Sequence, residues 1–102
     1  MTPVRVSPRA QADLVEITSC LAFEAGYAVA ARYEREINSQ IELLSDFPGV
    51  GTRKPNFGKG VRMLVEAPYL IYYEPDEHGI LILRILDGRR RITRKLVRKG
   101  GD

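Results

Sequence analysis

This 102-residue chain has one cysteine, one histidine and no tryptophan, and each shortage removes a class of function. A lone Cys20 cannot form an intrachain disulfide, and a cysteine-poor chain of this size fits a reducing compartment. One histidine, one cysteine and scattered carboxylates match no metal-ligand spacing, so neither a metal nor any other cofactor is expected. No apolar run approaches the roughly 20 residues that cross a bilayer, so no membrane partner is expected. The start, Met1-Thr2-Pro3-Val4-Arg5, lacks the apolar segment of a signal peptide, and a cytoplasmic location is expected. Residues 74–102 contain no aromatic side chain. A single-strand binder that stacks bases on aromatic faces has nothing to work with there.

What is present is an uneven charge distribution. Residues 1–88 hold 9 basic and 12 acidic side chains, whereas residues 89–102 hold 7 basic and 1 acidic. The net +3 is therefore a property of one terminus. The length fits one domain over residues 1–102, with a basic C-terminal segment at 89–102. Seven cations between Arg89 and Lys99, with no acid among them, repel one another unless something supplies counter-charge. A contact surface for an anionic partner is the favoured reading over a solvated face.

Hydrophobic spacing predicts the order β-α-α-β-β-β. Residues 3–6 read as a short strand. Ser7-Pro8 then reads as a helix start, with serine capping free amides and proline at a position that needs no amide hydrogen. Ala10, Leu14, Ile17 and Leu21 form one helical stripe, and Ala30, Tyr33, Ile37, Ile41 and Leu44 form a second. Gly26 between them forces a fold-back into an antiparallel pair. Residues 48–60, rich in glycine and proline, read as a connecting loop. A helix precedes this loop and a strand follows it, the reverse of a phosphate-binding loop. Strands follow at 61–66, 69–74 and 80–87, with Pro75–Gly79 as the last hairpin loop. The fold class is α+β, a helical hairpin packed on a small antiparallel sheet.

Few residues carry reactive chemistry. His78 sits in a hairpin loop beside Asp76, Glu77 and Gly79, and reads as a solvated turn residue. Cys20 lies near the first stripe and reads as a small buried hydrophobe. Asp13 and Glu16 read as a solvated helix face. Arg84 alternates with Ile80, Ile82 and Leu86, so its guanidinium needs a partner. Two readings stand level: an internal ion pair with Glu66 or Glu74, or a cation lining a concave surface. The terminal run from Arg89 reads as a short helix or a final strand, with Ile92 and Leu96 as apolar anchors.

In their order and spacing, several fragments resemble the RelE/ParE superfamily of bacterial type II toxins. They are Ser7-Pro8-Arg9-Ala10 with Asp13, Leu14 and Ile17, then Ala31 and Tyr33 in the second helix. Next come Leu43-Leu44 with Pro48 and Gly51, Gly60 with Arg62 and Leu64, and Tyr69, Ile71 and Tyr73. The last is Ile82 with Arg84-Ile85-Leu86 and Gly88-Arg89-Arg90. The resemblance covers about residues 4–96. It implies a neutralising antitoxin encoded next to the chain and toxicity when that antitoxin is lost.

The superfamily divides by mechanism. RelE-like members are ribosome-dependent mRNA endonucleases that resemble one another in strand lysines, an arginine on the second meander strand and a tyrosine or histidine near the C-terminus. Here Val61 and Met63 stand at the lysine positions, Leu70 at the arginine and Leu96 near the tail tyrosine. Proton transfer needs groups of that kind, and they are missing. Arg62, Arg84, Arg89, Arg90 and Arg91 remain as electrostatic parts. That pattern resembles the ParE-like branch, which implies a non-catalytic inhibitor of DNA gyrase with those five arginines as target-binding residues. The alternative is a RelE-like endonuclease acting on RNA at the ribosome, and a non-toxic nucleic-acid binder is a third reading. Many ParE-like chains carry histidine where Asp87 stands. A polar sheet face and a cationic tail would offer pairing sites to an acidic or amphipathic antitoxin segment.

Overall fold

The computed structural model describes residues 1–99; of the basic segment, residues 100–102 lie outside that range. Strand β1 (Val4–Val6) leads into α1 (Pro8–Ala25), and Gly26 separates it from α2 (Tyr27–Asp46). The Ser7 hydroxyl accepts the Ala10 N–H at 3.0 Å, and Pro8 occupies the first turn. Gly26 has a φ of 95°, which glycine adopts without strain, and this lets one residue reverse the chain. Helix α2 buries Ala30, Ile37, Ile41 and Leu44. Helix α1 buries only Ala10 completely, with Leu14, Ile17 and Leu21 half-buried against the same cluster.

Among the described residues, one sheet runs in the order β1-β5-β4-β3-β2. β3 (Arg62–Glu66), β4 (Tyr69–Asp76) and β5 (Gly79–Asp87) are the expected meander, all antiparallel. The fold class is the expected one, with three refinements. β1 lies parallel to β5, with Val4 opposite Ile80. Parallel neighbours cannot share a tight turn, and the helical hairpin and the rest of the meander lie between these two in sequence. Segment 48–60 is more than a loop, for it holds β2 (Thr52–Arg53), paired to β3, and a 3-10 turn (Pro55–Phe57). Finally, β4 runs on to Asp76, which leaves Glu77 and His78 as the last turn. The Asp76 carboxylate accepts the His78 N–H at 2.8 Å and closes it.

The sheet is covered on both sides. Tyr69, Ile71, Tyr73, Ile80, Ile82 and Ile85 face the helical hairpin. The opposite face, expected to be polar, is apolar: Val61, Tyr72 and Leu86 pack beneath Leu96 and Val97 of α3 (Arg94–Lys99). The central strand β4 is consequently buried on alternating sides, which its continuous run of Tyr69-Leu70-Ile71-Tyr72-Tyr73 requires. No helix among the described residues is long and apolar enough to cross a membrane.

Tyr73 ties the sheet to the loop after α2. Its buried hydroxyl donates to Pro48 O at 3.0 Å and accepts the Gly51 N–H at 2.8 Å. A Cβ on Gly51 would stand 2.6 Å from that hydroxyl, so only glycine fits. Tyr73→Phe leaves a buried amide and a carbonyl without their partner. It should lower stability by about 1–3 kcal/mol, read as a shift of the urea midpoint with an unchanged slope.

Candidate target-binding surface

Arg84 sits where β1 stops short. β1 ends at Val6, and its pairing to β5 covers only Ile80–Ile82. Past Leu83 that edge of β5 is capped by α1. Asp13 Oδ2 accepts the Ile85 N–H at 3.0 Å and the Arg84 Nε–H at 2.7 Å, while its Oδ1 takes Arg84 Nη2 at 2.7 Å. The remaining Nη1 donates to Leu96 O at 2.8 Å. Arg84 is 6% exposed and so joins α1, β5 and α3 from inside.

Three expectations change here. The internal ion pair is the arrangement present, but its partner is Asp13 rather than Glu66 or Glu74. Asp13 accordingly does not belong to a solvated face. The alternation with Ile80 and Ile82 fails as well, because the ladder slips between Tyr72/Arg84 and Tyr73/Ile82, leaving Leu83 as a bulge. One extra residue reverses the faces downstream. Arg84 therefore shares its side with Tyr72 and Leu86, and its guanidinium is not presented to a target.

The end of β5 supplies the exposed cations. The Gly88 N–H donates to Pro68 O at 2.7 Å and turns the chain into Arg89-Arg90-Arg91. Asp87 accepts the Arg89 N–H at 2.9 Å and grips its guanidinium at 2.9 and 2.6 Å. The Arg89 guanidinium, and after it the Arg89 N–H, hold the Asp87 carboxyl down at about 2, and the Arg89 pKa rises in return. A depressed carboxylate stabilises the fold above its unfolded pKa and loses that effect as pH falls through about 2. Arg89 is 76% exposed in its side chain, so solvent screening keeps the contribution small. Arg90 and Arg91 are exposed and form no ion pair among the described residues.

The terminal run resolves into a helix. Thr93 caps α3, with its side-chain oxygen accepting the Leu96 N–H at 3.2 Å. Arg98 reaches back to Glu74 at 2.8 and 3.2 Å, which raises the Arg98 pKa. The tail is thus less self-repelling than its sequence implies, because β4 and β5 furnish Glu74 and Asp87. A threonine two residues before a Lys-Leu-Val run was the available signal for the helix. No local signal marked Asp13, whose partner is 71 residues away.

Arg62 lies apart from this cluster, on β3. Its Nη1 donates to Gly49 O at 3.0 Å and Gly51 O at 2.8 Å, so it braces the same loop as Tyr73. The structure therefore groups Arg89, Arg90 and Arg91 but places Arg62 and Arg84 elsewhere, each engaged within the protein. Cys20, expected to be buried, is exposed. Stripe proximity was a poor guide, since α1 buries little beyond Ala10. His78 is in the exposed turn where it was expected.

A helical hairpin on one face of an antiparallel meander is the arrangement the RelE/ParE resemblance implies. Residues 4–92 match the family described as "ParE toxin of type II toxin-antitoxin system, parDE". Toxin ParE1 of Caulobacter vibrioides is 33% identical over 86 residues, 84% of this chain and 88% of that protein. Toxin ParE3 of the same organism is 30% identical over 87 residues, 85% and 87% of the respective chains. Among solved structures, a chain of the "Chromosomal ParDE TA system from P. aeruginosa" superposes with a TM-score of 0.72 at 28% identity, covering 83% of this chain and 94% of that one. The chain belongs to the ParE toxin family of type II toxin-antitoxin systems.

Proposed function

We propose that this toxin inhibits DNA gyrase by binding it, with Arg89, Arg90 and Arg91 as the principal target contacts, and that a cognate antitoxin encoded beside it neutralises it. The observation that carries this reading is the arginine triplet. It projects from the end of β5 on a segment whose far side is pinned by buried Leu96 and Val97. A cationic surface held in a fixed place can pair with an acidic one at low ordering cost. Arg84 supports this segment indirectly by holding α3 through Leu96 O, while Arg62 braces the loop after α2.

Two features favour binding over RNA cleavage. Tyr69, Tyr72 and Tyr73 are buried, and desolvation raises the pKa of each, so these hydroxyls hold their protons inside the protein. Leu70 and Leu96 occupy positions where RelE-like chains carry polar groups. For the antitoxin, Phe23 and Tyr27 stand 93% and 86% exposed on either side of Gly26 and offer apolar anchors at the hairpin tip.

The test is induction of the toxin without its neighbouring gene, scoring DNA-damage response and mRNA cleavage in the same cells. The expected result is a damage response without codon-specific cleavage, together with inhibition of gyrase supercoiling by purified toxin. Codon-specific cleavage by the purified parent toxin on ribosomes would establish the endonuclease instead.

A further inference from the structure

A second cationic surface lies far in sequence from the tail. Residues 47–65 carry Arg53, Lys54, Lys59 and Arg62 and no acidic side chain. Arg53, Lys59 and Arg62 line one cleft of about 210 Å³, together with Pro55, Val61 and Pro75. β2 sets Arg53 directly opposite Arg62 on β3. Like charges at opposed cross-strand positions destabilise a ladder, and β2 is only two residues long. No carboxylate among the described residues forms an ion pair with Arg53, Lys59 or Arg62. Two acids on the adjoining strand are already engaged: Glu74 grips Arg98, and Asp76 is bound by Arg5. No described carboxylate is thus left to neutralise the cleft.

We propose that this cleft binds a phosphate of a nucleic-acid backbone. Its volume is below the roughly 300 Å³ at which pockets begin to hold drug-sized ligands, yet it admits a single tetrahedral oxyanion. Guanidinium and ammonium groups lining one cleft suit phosphate, with Arg53 able to donate two parallel hydrogen bonds. The charge also continues beyond one phosphate. α3 packs on the 3-10 turn, with the Arg98 guanidinium against Gly58, and this places the exposed Arg94 and Lys95 on the adjoining element. An acidic protein is the weaker fit, because the cleft exposes no aromatic or long aliphatic anchor: Val61 is buried, and the remaining apolar side chains are prolines. The cleft also lacks an aromatic lining for base stacking: Phe57, the aromatic residue of this segment's 3-10 turn, packs against Tyr72 with ring centroids at 5.2 Å and planes at 78°. Contact is therefore with phosphates, indifferent to sequence and suited to duplex DNA.

The cleft and its cations lie apart from Arg89, Arg90 and Arg91, so phosphate binding there does not depend on gyrase being the target. The experiment measures full-length toxin on a labelled duplex of arbitrary sequence by fluorescence anisotropy across a salt series. Arg53→Gln/Lys59→Gln is the variant, with Arg62 left in place because it braces the loop. Each phosphate neutralised contributes a log–log salt slope of about 0.9, so the double variant, which loses the one phosphate of the cleft, should be shallower by about 0.9 and bind more weakly at low salt. Lys59→Gln alone, at an exposed residue, should weaken duplex binding at low salt by less than the double variant does. A parental slope in the double variant, with binding abolished instead by replacing Arg89, Arg90 and Arg91, would overturn the assignment. So would binding of inorganic phosphate or a free nucleotide without duplex binding. Loss of antitoxin affinity with DNA affinity untouched would assign the cleft to a partner's carboxylates and equally overturn it.

Discussion

Replacing Asp13 with alanine should destabilise the protein by about 3–5 kcal/mol, the range for removing one member of a buried ion pair. The change strips Arg84 of a bidentate partner and Ile85 of its hydrogen bond at a site where water has little access. A stability of about 5–15 kcal/mol is ordinary for a folded domain, so this is a large fraction of the whole. Urea denaturation of the purified variant measures it. The companion test is Asp13→Leu with Arg84→Met. An apolar pair of comparable size should recover much of the loss, because the penalty comes from the stranded charge more than from the missing attraction. A double variant as unstable as the single one would instead locate the effect in the lost Ile85 and Leu96 hydrogen bonds.

Replacing Arg89, Arg90 and Arg91 together with glutamine should abolish most of the toxicity while leaving a folded, antitoxin-competent protein. The three side chains are exposed, and Arg89 pairs with Asp87, which keeps the Arg89 N–H after substitution. Glutamine preserves much of the volume and removes the charge. Ile92, Leu96 and Val97 stay intact, so α3 remains docked. Growth after induction, the thermal midpoint and antitoxin affinity read the three properties separately. A midpoint far below that of the parent would make the arginines structural. Full toxicity would move the target surface elsewhere.

The α2 stripe at 30, 33, 37, 41 and 44, the Ser7-Pro8 start, the Gly26 reversal and the meander were all readable from spacing, because each is a local pattern with one packing solution. The departures come from contacts that no local pattern encodes. The bulge at Leu83 depends on how β5 meets β4, and it alone reverses the side on which Arg84 lies. The apolar second sheet face was hidden because Tyr72 and Leu86 alternate with residues that also point inward, and α3 is only six residues long. In the site, the exposed arginine triplet was evident from charge counts. The counter-charges Asp87 and Glu74 precede the tail in sequence and become its neighbours only through the fold.

The docking of α3 bears on how genetic alleles of this toxin are interpreted. A stop codon after Thr93 would delete Leu96 and Val97 and lay bare Val61, Tyr72 and Leu86 along the central strands. An uncovered apolar sheet face invites self-association and proteolysis. Such an allele would be harmless because little intact protein survives, and it would say nothing about which cations touch the target. A spontaneous suppressor recovered from a toxicity selection therefore carries information about mechanism only when the α3 apolar pair is retained and the protein accumulates to parental levels.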